Sequence, residues 1–129
     1  MPLAHGLDLC DVARVARLLE EHGERFLSRC FGAEERVYCD GQGQRRAEAY
    51  AARFAAKEAV AKALGTGMAD GVEFGQIEVV RSPVGAPTVR LTGRAAELAK
   101  IKGLSEWALS LTHVSGFAAA SVVATGGGH

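Results

Sequence analysis

The chain has few aromatic residues, 6% of its 129, so small aliphatic side chains must close most of its core. It also lacks net charge. The formal balance is zero, which argues against bulk attraction to nucleic acid or to a membrane and leaves electrostatic recognition to local patches. Cysteine is sparse: Cys10, Cys30 and Cys39 form no CxxC pair and cannot all pair with one another. That excludes an oxidised framework and fits a reducing compartment. No segment approaches the ~20 apolar residues of a membrane span. The first residues have neither the basic start nor the apolar run of a secretory leader, so the expectation is a cytoplasmic protein. There is no internal repeat and no linker. The expected organisation is one domain over 1–125, with Gly126-Gly127-Gly128-His129 a disordered tail in which His129 is not a site. A domain of this size has a small core, so oligomerisation can add buried surface.

What the chain has in abundance is alanine, which favours closely packed helices. Leu3–Cys10 is short and apolar around Gly6 and Asp8 and reads as a strand. Asp11 can cap a helix from Val12 to about Glu21, with Val15, Leu18 and Leu19 at helical spacing and His22-Gly23 ending it. Glu24–Cys30 and Ala33–Cys39 read as two further short helices. After the loop Asp40-Gly41-Gln42-Gly43 comes a long helix from about Arg45 to Leu64, with Tyr50, Phe54 and Ala61 on one face. Beyond Gly67 the pattern changes to strands over Val72–Val80 and around Val89 and Leu91, separated by a turn at Pro83–Pro87. A helix from Gly93 to about Lys102 follows, then strands through Trp107, Leu109 and Leu111 to His113 and over Ala118–Ala124. Helices first and hairpins later predict an α+β fold, an antiparallel sheet packed against a long helix and shorter helices.

The long helix carries the chemistry. Between Arg45 and Lys62 lie five cations (Arg45, Arg46, Arg53, Lys57, Lys62) against two acids (Glu48, Glu58), an excess that suits a polyphosphate. On spacing alone, Glu58 with Lys62 and Arg53 with Lys57 read as ordinary surface neighbours four residues apart. Asp8 stands between Leu7 and Leu9, where a carboxylate is costly unless it is paired, hydrogen-bonded or bound to a cation; a turn or capping acid is the alternative. Gly65-Thr66-Gly67 reads first as a helix stop, and its backbone can also approach a ligand closely. It is not a phosphate loop, because the helix precedes the glycines and no lysine follows. His113 ends a strand, where a general base, a phosphate contact and a structural histidine are all open.

Taken together, Gly6-Leu7-Asp8, Arg25-Phe26-Leu27, the helix ending in Tyr38, Arg53-Phe54-Ala55-Ala56-Lys57-Glu58-Ala59, Lys62-Ala63-Leu64-Gly65-Thr66-Gly67, Ile77-Glu78-Val79, Gly85-Ala86-Pro87 and Ser110-Leu111-Thr112-His113 resemble the holo-acyl-carrier-protein synthases. These are the small bacterial 4′-phosphopantetheinyl transferases, and the resemblance covers nearly the whole chain in the family's order. It implies Asp8 and Glu58 as magnesium ligands and Lys62 as a contact to coenzyme A phosphate. It implies Asp8, Glu58, Lys62 and His113 as the catalytic set, and Arg53, Lys62, Gly65, Thr66, Pro87 and His113 as coenzyme A contacts. Gly32 departs from the family by replacing the Thr usual after Phe31, which weakens a helix cap.

The implied reaction moves the 4′-phosphopantetheine arm of coenzyme A onto a serine of acyl carrier protein and releases adenosine 3′,5′-bisphosphate. Glu58, through a metal-bound water, and His113 are both candidates for the base. The carrier is acidic, and Arg14, Arg17, Leu18, Arg25 and Phe26 offer it a basic and apolar landing site, diluted by Glu20, Glu21 and Glu24. The family's usual assembly is a homotrimer with sites at subunit interfaces. Two alternatives stand beside this reading: the same chemistry on a polyketide or peptide carrier domain, and a non-catalytic module for an acidic protein or a nucleotide.

Overall fold

The structure is a computed structural model that describes residues 1–126. Of the expected tail, 127–129 lie outside the described residues; the Gly126 N–H donates to the Pro2 carbonyl at 3.4 Å.

The chain opens with β1 (Leu3–Asp11) and α1 (Val12–Cys30). The Asp11 carboxylate accepts from the Ala13 N–H at 2.9 Å and caps α1 as its sequence suggests. The break expected at Gly23 is a kink between two helical pieces. Its φ of 44° and ψ of −117° are open to glycine and costly for other residues. Next come α2 (Ala33–Asp40), a 3-10 turn at Gly43–Arg45 and α3 (Arg46–Ala63). The remainder is β2 (Ile77–Arg81), β3 (Pro87–Leu91), α4 (Gly93–Ile101), β4 (Glu106–Val114) and β5 (Phe117–Thr125). The strand expected from Val72 is shorter at its start. Phe74–Gln76 is a 3-10 turn instead, and the Gln76 N–H bonds the Glu73 carbonyl.

The strands form two antiparallel sheets, β1-β5-β4 and β2-β3. Helix α3 is the axis of the molecule. From Tyr50 to Ala61 every residue but Glu58 is buried, and the alanines let β1, β5, α1 and β2 all approach it. Along β1, Gly6, Asp8 and Cys10 face this helix, opposite Val122, Ala120 and Ala118 of β5. The aromatic residues gather at one end, where Phe26, Phe31, Phe54, Phe74 and Tyr50 contact one another edge-on, tilted or stacked. The other face of the three-stranded sheet is apolar and open: Leu3, Leu7, Leu9, Val114, Phe117 and Val123 are exposed.

Candidate active site

Two close approaches set the position of α3. On the β1 side, a Cβ at Gly6 would fall 1.8 Å from the Ala59 carbonyl oxygen, so only glycine lets this strand lie against the helix backbone. Two residues along, the same face carries Asp8. Its Oδ1 accepts from Lys62 Nζ at 2.9 Å, and the Leu7 carbonyl accepts from the same ammonium at 3.0 Å. Glu58 lies on the preceding turn of α3. Burial, and then the charge of Asp8, raise its proton affinity above that of an ordinary carboxylate; Arg14 and Lys62 oppose the rise. No hydrogen bond or ion pair holds Glu58 among the described residues. The surface pairing of Glu58 with Lys62 that their spacing allows is not formed, because Lys62 turns to Asp8.

A half-buried carboxylate without a partner, facing a second carboxylate, is a cluster of hard oxygen donors that repel each other. It fits a small divalent cation, which would bind through one or two carboxylates and keep its waters. No cluster of three or more His, Cys, Asp or Glu residues that could cage a softer metal exists among the described residues.

On its other side, α3 is tied by Lys57. Its ammonium is fully buried and donates to Glu35 Oε1 at 2.9 Å, to the Phe74 carbonyl at 3.3 Å and to the Ile77 carbonyl. Glu35 in turn accepts from the Gly32 N–H and the Val79 N–H, each at 2.9 Å. One carboxylate therefore caps α2, pairs β2 and neutralises Lys57. It does not replace a side-chain cap at Gly32, where a Cβ would sit 2.1 Å from Glu78 Oε2. The sequence offered one signal for Glu35, its place three residues after Gly32 in a capping-box spacing. The five cations of the Arg45–Lys62 segment thus do not form one patch. Lys57 serves the core, and Arg46 pairs with Asp40.

His113 lies elsewhere. Asp8 and His113 face α3 from the two edge strands of the sheet, with β5 between them, about 10 Å apart across the strands. His113 Nδ1 is 3.4 Å from Glu48 Oε2, and Glu48 precedes Glu58 by about 15 Å along the helix. Within one chain His113 is therefore not brought to the carboxylate pair. It lines a separate pocket of about 290 Å³ with Arg45, Arg53, Arg81, Tyr38 and Pro87. Arg53 is 6% exposed, yet its Nε has no partner. Two of the expected coenzyme A contacts, Gly65 and Thr66, follow Lys62 instead. Gly65 has a φ of 86° and ends α3, and the Thr66 hydroxyl donates to the Gly67 carbonyl.

The expected landing site is a groove of about 540 Å³. Leu18, His22, Arg25 and Arg29 line one wall and Phe54, Met68 and Phe74 the other. Phe26 belongs to its floor, 9% exposed, and is first a core residue. Arg14 reaches toward Phe54, 5.8 Å from its ring centroid, on the side of Glu58. Arg17 is exposed on α1 outside the groove lining. Arg29 stands four residues after Arg25 and extends the expected site as its sequence suggests, whereas His22 escaped sequence reasoning although it lies four residues after Leu18 on the same helical face.

This geometry accompanies a clear kinship. Residues 4–120 match the profile of the 4′-phosphopantetheinyl transferase superfamily, to which the chain belongs. It is 59% identical over 92 residues to a holo-[acyl-carrier-protein] synthase of Methylobacterium radiotolerans, covering 71% of this chain and 67% of that one. Against the synthase of Anaeromyxobacter dehalogenans the identity is 47% over 99% of both. Its fold matches the Helicobacter pylori synthase crystallised with coenzyme A, at a TM-score of 0.81 and 30% identity over 94% of this chain and 99% of the other. Within the superfamily it falls among the holo-acyl-carrier-protein synthases, and it is an enzyme of that family.

Proposed function

We propose that the chain transfers the 4′-phosphopantetheine arm of coenzyme A to a serine of apo acyl carrier protein, with magnesium, and releases adenosine 3′,5′-bisphosphate. The observation that carries this is the Asp8–Glu58 pair with Lys62 beside it. A pure anion binder gains nothing from two carboxylates at its phosphate seat, which argues against the non-catalytic reading. Coenzyme A accompanies several of the matched synthases, those of H. pylori and Bacillus anthracis among them.

In this mechanism the serine oxygen forms a bond to the phosphorus that bears the pantetheine arm, and the bond from that phosphorus to the bridging oxygen breaks. A magnesium ion on Asp8 and Glu58 would neutralise the pyrophosphate and polarise the attacked phosphoryl group. Lys62 swings from Asp8 to the bridging oxygens, where its charge stabilises the leaving phosphate. The serine proton passes either to Glu58 through a water or to His113. Gly65 and Thr66, just beyond Lys62, are walls of the coenzyme A site.

Coenzyme A carries a second anionic centre, its 3′-phosphate. The pocket of Arg45, Arg53, Arg81, Pro87 and His113 suits it but stands apart from the carboxylates of the same chain. We infer that a neighbouring copy supplies this pocket in a homotrimer, packed through the open apolar face of the three-stranded sheet. The groove lined by Leu18, Arg25 and Phe26, with Arg14 and Arg17 nearby, receives the acidic carrier. No helix among the described residues is long and apolar enough to cross a membrane, and the proposed location is the cytoplasm.

The test is direct. The protein is mixed with apo carrier protein, coenzyme A and Mg²⁺, and the carrier is weighed. A gain of one phosphopantetheine, lost with Asp8→Asn, is expected; no gain with any of several fatty-acid, polyketide and peptide carriers overturns the proposal. Faster gain on a polyketide or peptide carrier would move the physiological acceptor to that class.

A further inference from the structure

The arginine pocket contains an arrangement that its role as an anion seat does not by itself require. The Arg53 guanidinium carbon lies 4.1 Å from the centroid of the Tyr38 ring, and that of Arg81 lies 4.5 Å from the same centroid. Neither arginine is paired with a carboxylate among the described residues. Arg53 makes only a long hydrogen bond, 3.5 Å to the Ala49 carbonyl, and its buried Nε makes none. Arg81 donates to the Gly85 carbonyl at 2.9 Å and otherwise rests on the ring. Two guanidinium groups brought to one aromatic ring repel each other, and each stays because the ring's negative face attracts it. The acid that lines the pocket, Glu48, is turned to His113. The Tyr38 hydroxyl makes no hydrogen bond within the described residues, so the ring, not the phenol, does the holding.

We propose that Tyr38 is a positioning residue that makes this pocket selective for the 3′-phosphate: its ring holds both Arg53 and Arg81 at the pocket wall so that one phosphomonoester dianion engages both. This rests on the reading of the pocket as the seat of that phosphate. Guanidinium groups held in advance lose little freedom when the anion arrives, and the anion removes their mutual repulsion. Pairing either arginine with a carboxylate would have settled it more firmly but would have cancelled the charge the ligand needs. An aromatic ring holds a cation without neutralising it.

The experiment measures kcat and KM for coenzyme A and for 3′-dephospho-coenzyme A, with a bacterial apo acyl carrier protein and Mg²⁺. The variants are Tyr38→Leu, Tyr38→Phe and Arg81→Gln. Tyr38→Leu and Arg81→Gln are expected to raise KM for coenzyme A about tenfold and to leave KM for the dephospho form unchanged. Tyr38→Phe is expected to restore the preference, because it keeps the ring. Equal changes for both ligands, or a Phe variant as poor as the Leu variant, overturn the positioning role. A wild-type enzyme that does not distinguish the two ligands overturns the pocket assignment underneath it. Far-ultraviolet circular dichroism confirms folding; Arg81, exposed at the end of β2, carries the test if the Leu variant does not fold.

Discussion

At the scale of single residues, Lys57 and Glu58 are neighbours in sequence with opposite tasks. Lys57 is buried against Glu35 and anchors the helix; Glu58 is left without a partner beside Asp8. Lys57→Met should strand the Glu35 charge in the core and lower stability by about 3–5 kcal/mol, measured by urea unfolding. Pairing it with Glu35→Gln should recover part of that loss, since the stranded charge and not the missing bond is the larger cost. Glu58→Gln should lower kcat/KM by about 10²–10³-fold. The same substitution should raise the melting temperature of the metal-free protein at neutral pH. Because the folded state raises the proton affinity of Glu58, the ionised form weakens the fold once the pH has risen through the folded-state pKa. Below the unfolded carboxylate range the group is protonated in both states, and the advantage of glutamine should vanish near pH 3. A melting temperature unchanged or lowered at pH 7 contradicts the strain placed on this carboxylate.

At the scale of elements, the kinked α1 and the central α3 together make the groove proposed for the carrier, and its cations come from α1. Arg25→Glu should raise KM for the carrier about tenfold, ~1.4 kcal/mol, with KM for coenzyme A unchanged. The gap between wild type and variant should narrow as salt rises, because exposed charges are screened over about 10 Å at 0.1 M. A variant affected in coenzyme A KM, or insensitive to salt, removes the groove from the docking surface. The elements themselves were largely legible beforehand. Asp11 capped α1, glycine broke it at Gly23 and Gly65 ended α3, each for a local stereochemical reason. Val72–Gln76 was not legible, because alternation of apolar residues is also produced by a 3-10 turn that packs Phe74 onto Phe54.

At the scale of the whole molecule, the proposed site is divided between two places along α3, and the open face of the sheet is apolar. Leu9→Glu should break the proposed assembly. Light scattering should then give the mass of one chain, and the transferase activity should fall with it. A variant that stays fully active as a single chain contradicts a site shared between copies. The amino-acid sequence alone determined the class of fold and, through the family resemblance of its Gly-Leu-Asp and Lys-Glu-Ala motifs, put forward Asp8, Glu58 and Lys62 as the site residues proposed above. Those are local patterns, carried by periodicity, capping and motif order. Only the tertiary structure decided that Lys62 turns to Asp8 and not to Glu58, that Lys57 is buried with Glu35, and that His113 stands apart with the arginines. Each of those outcomes joins segments far apart in the chain. Each depends on which neighbour desolvates a charge, and helical spacing carries no record of that.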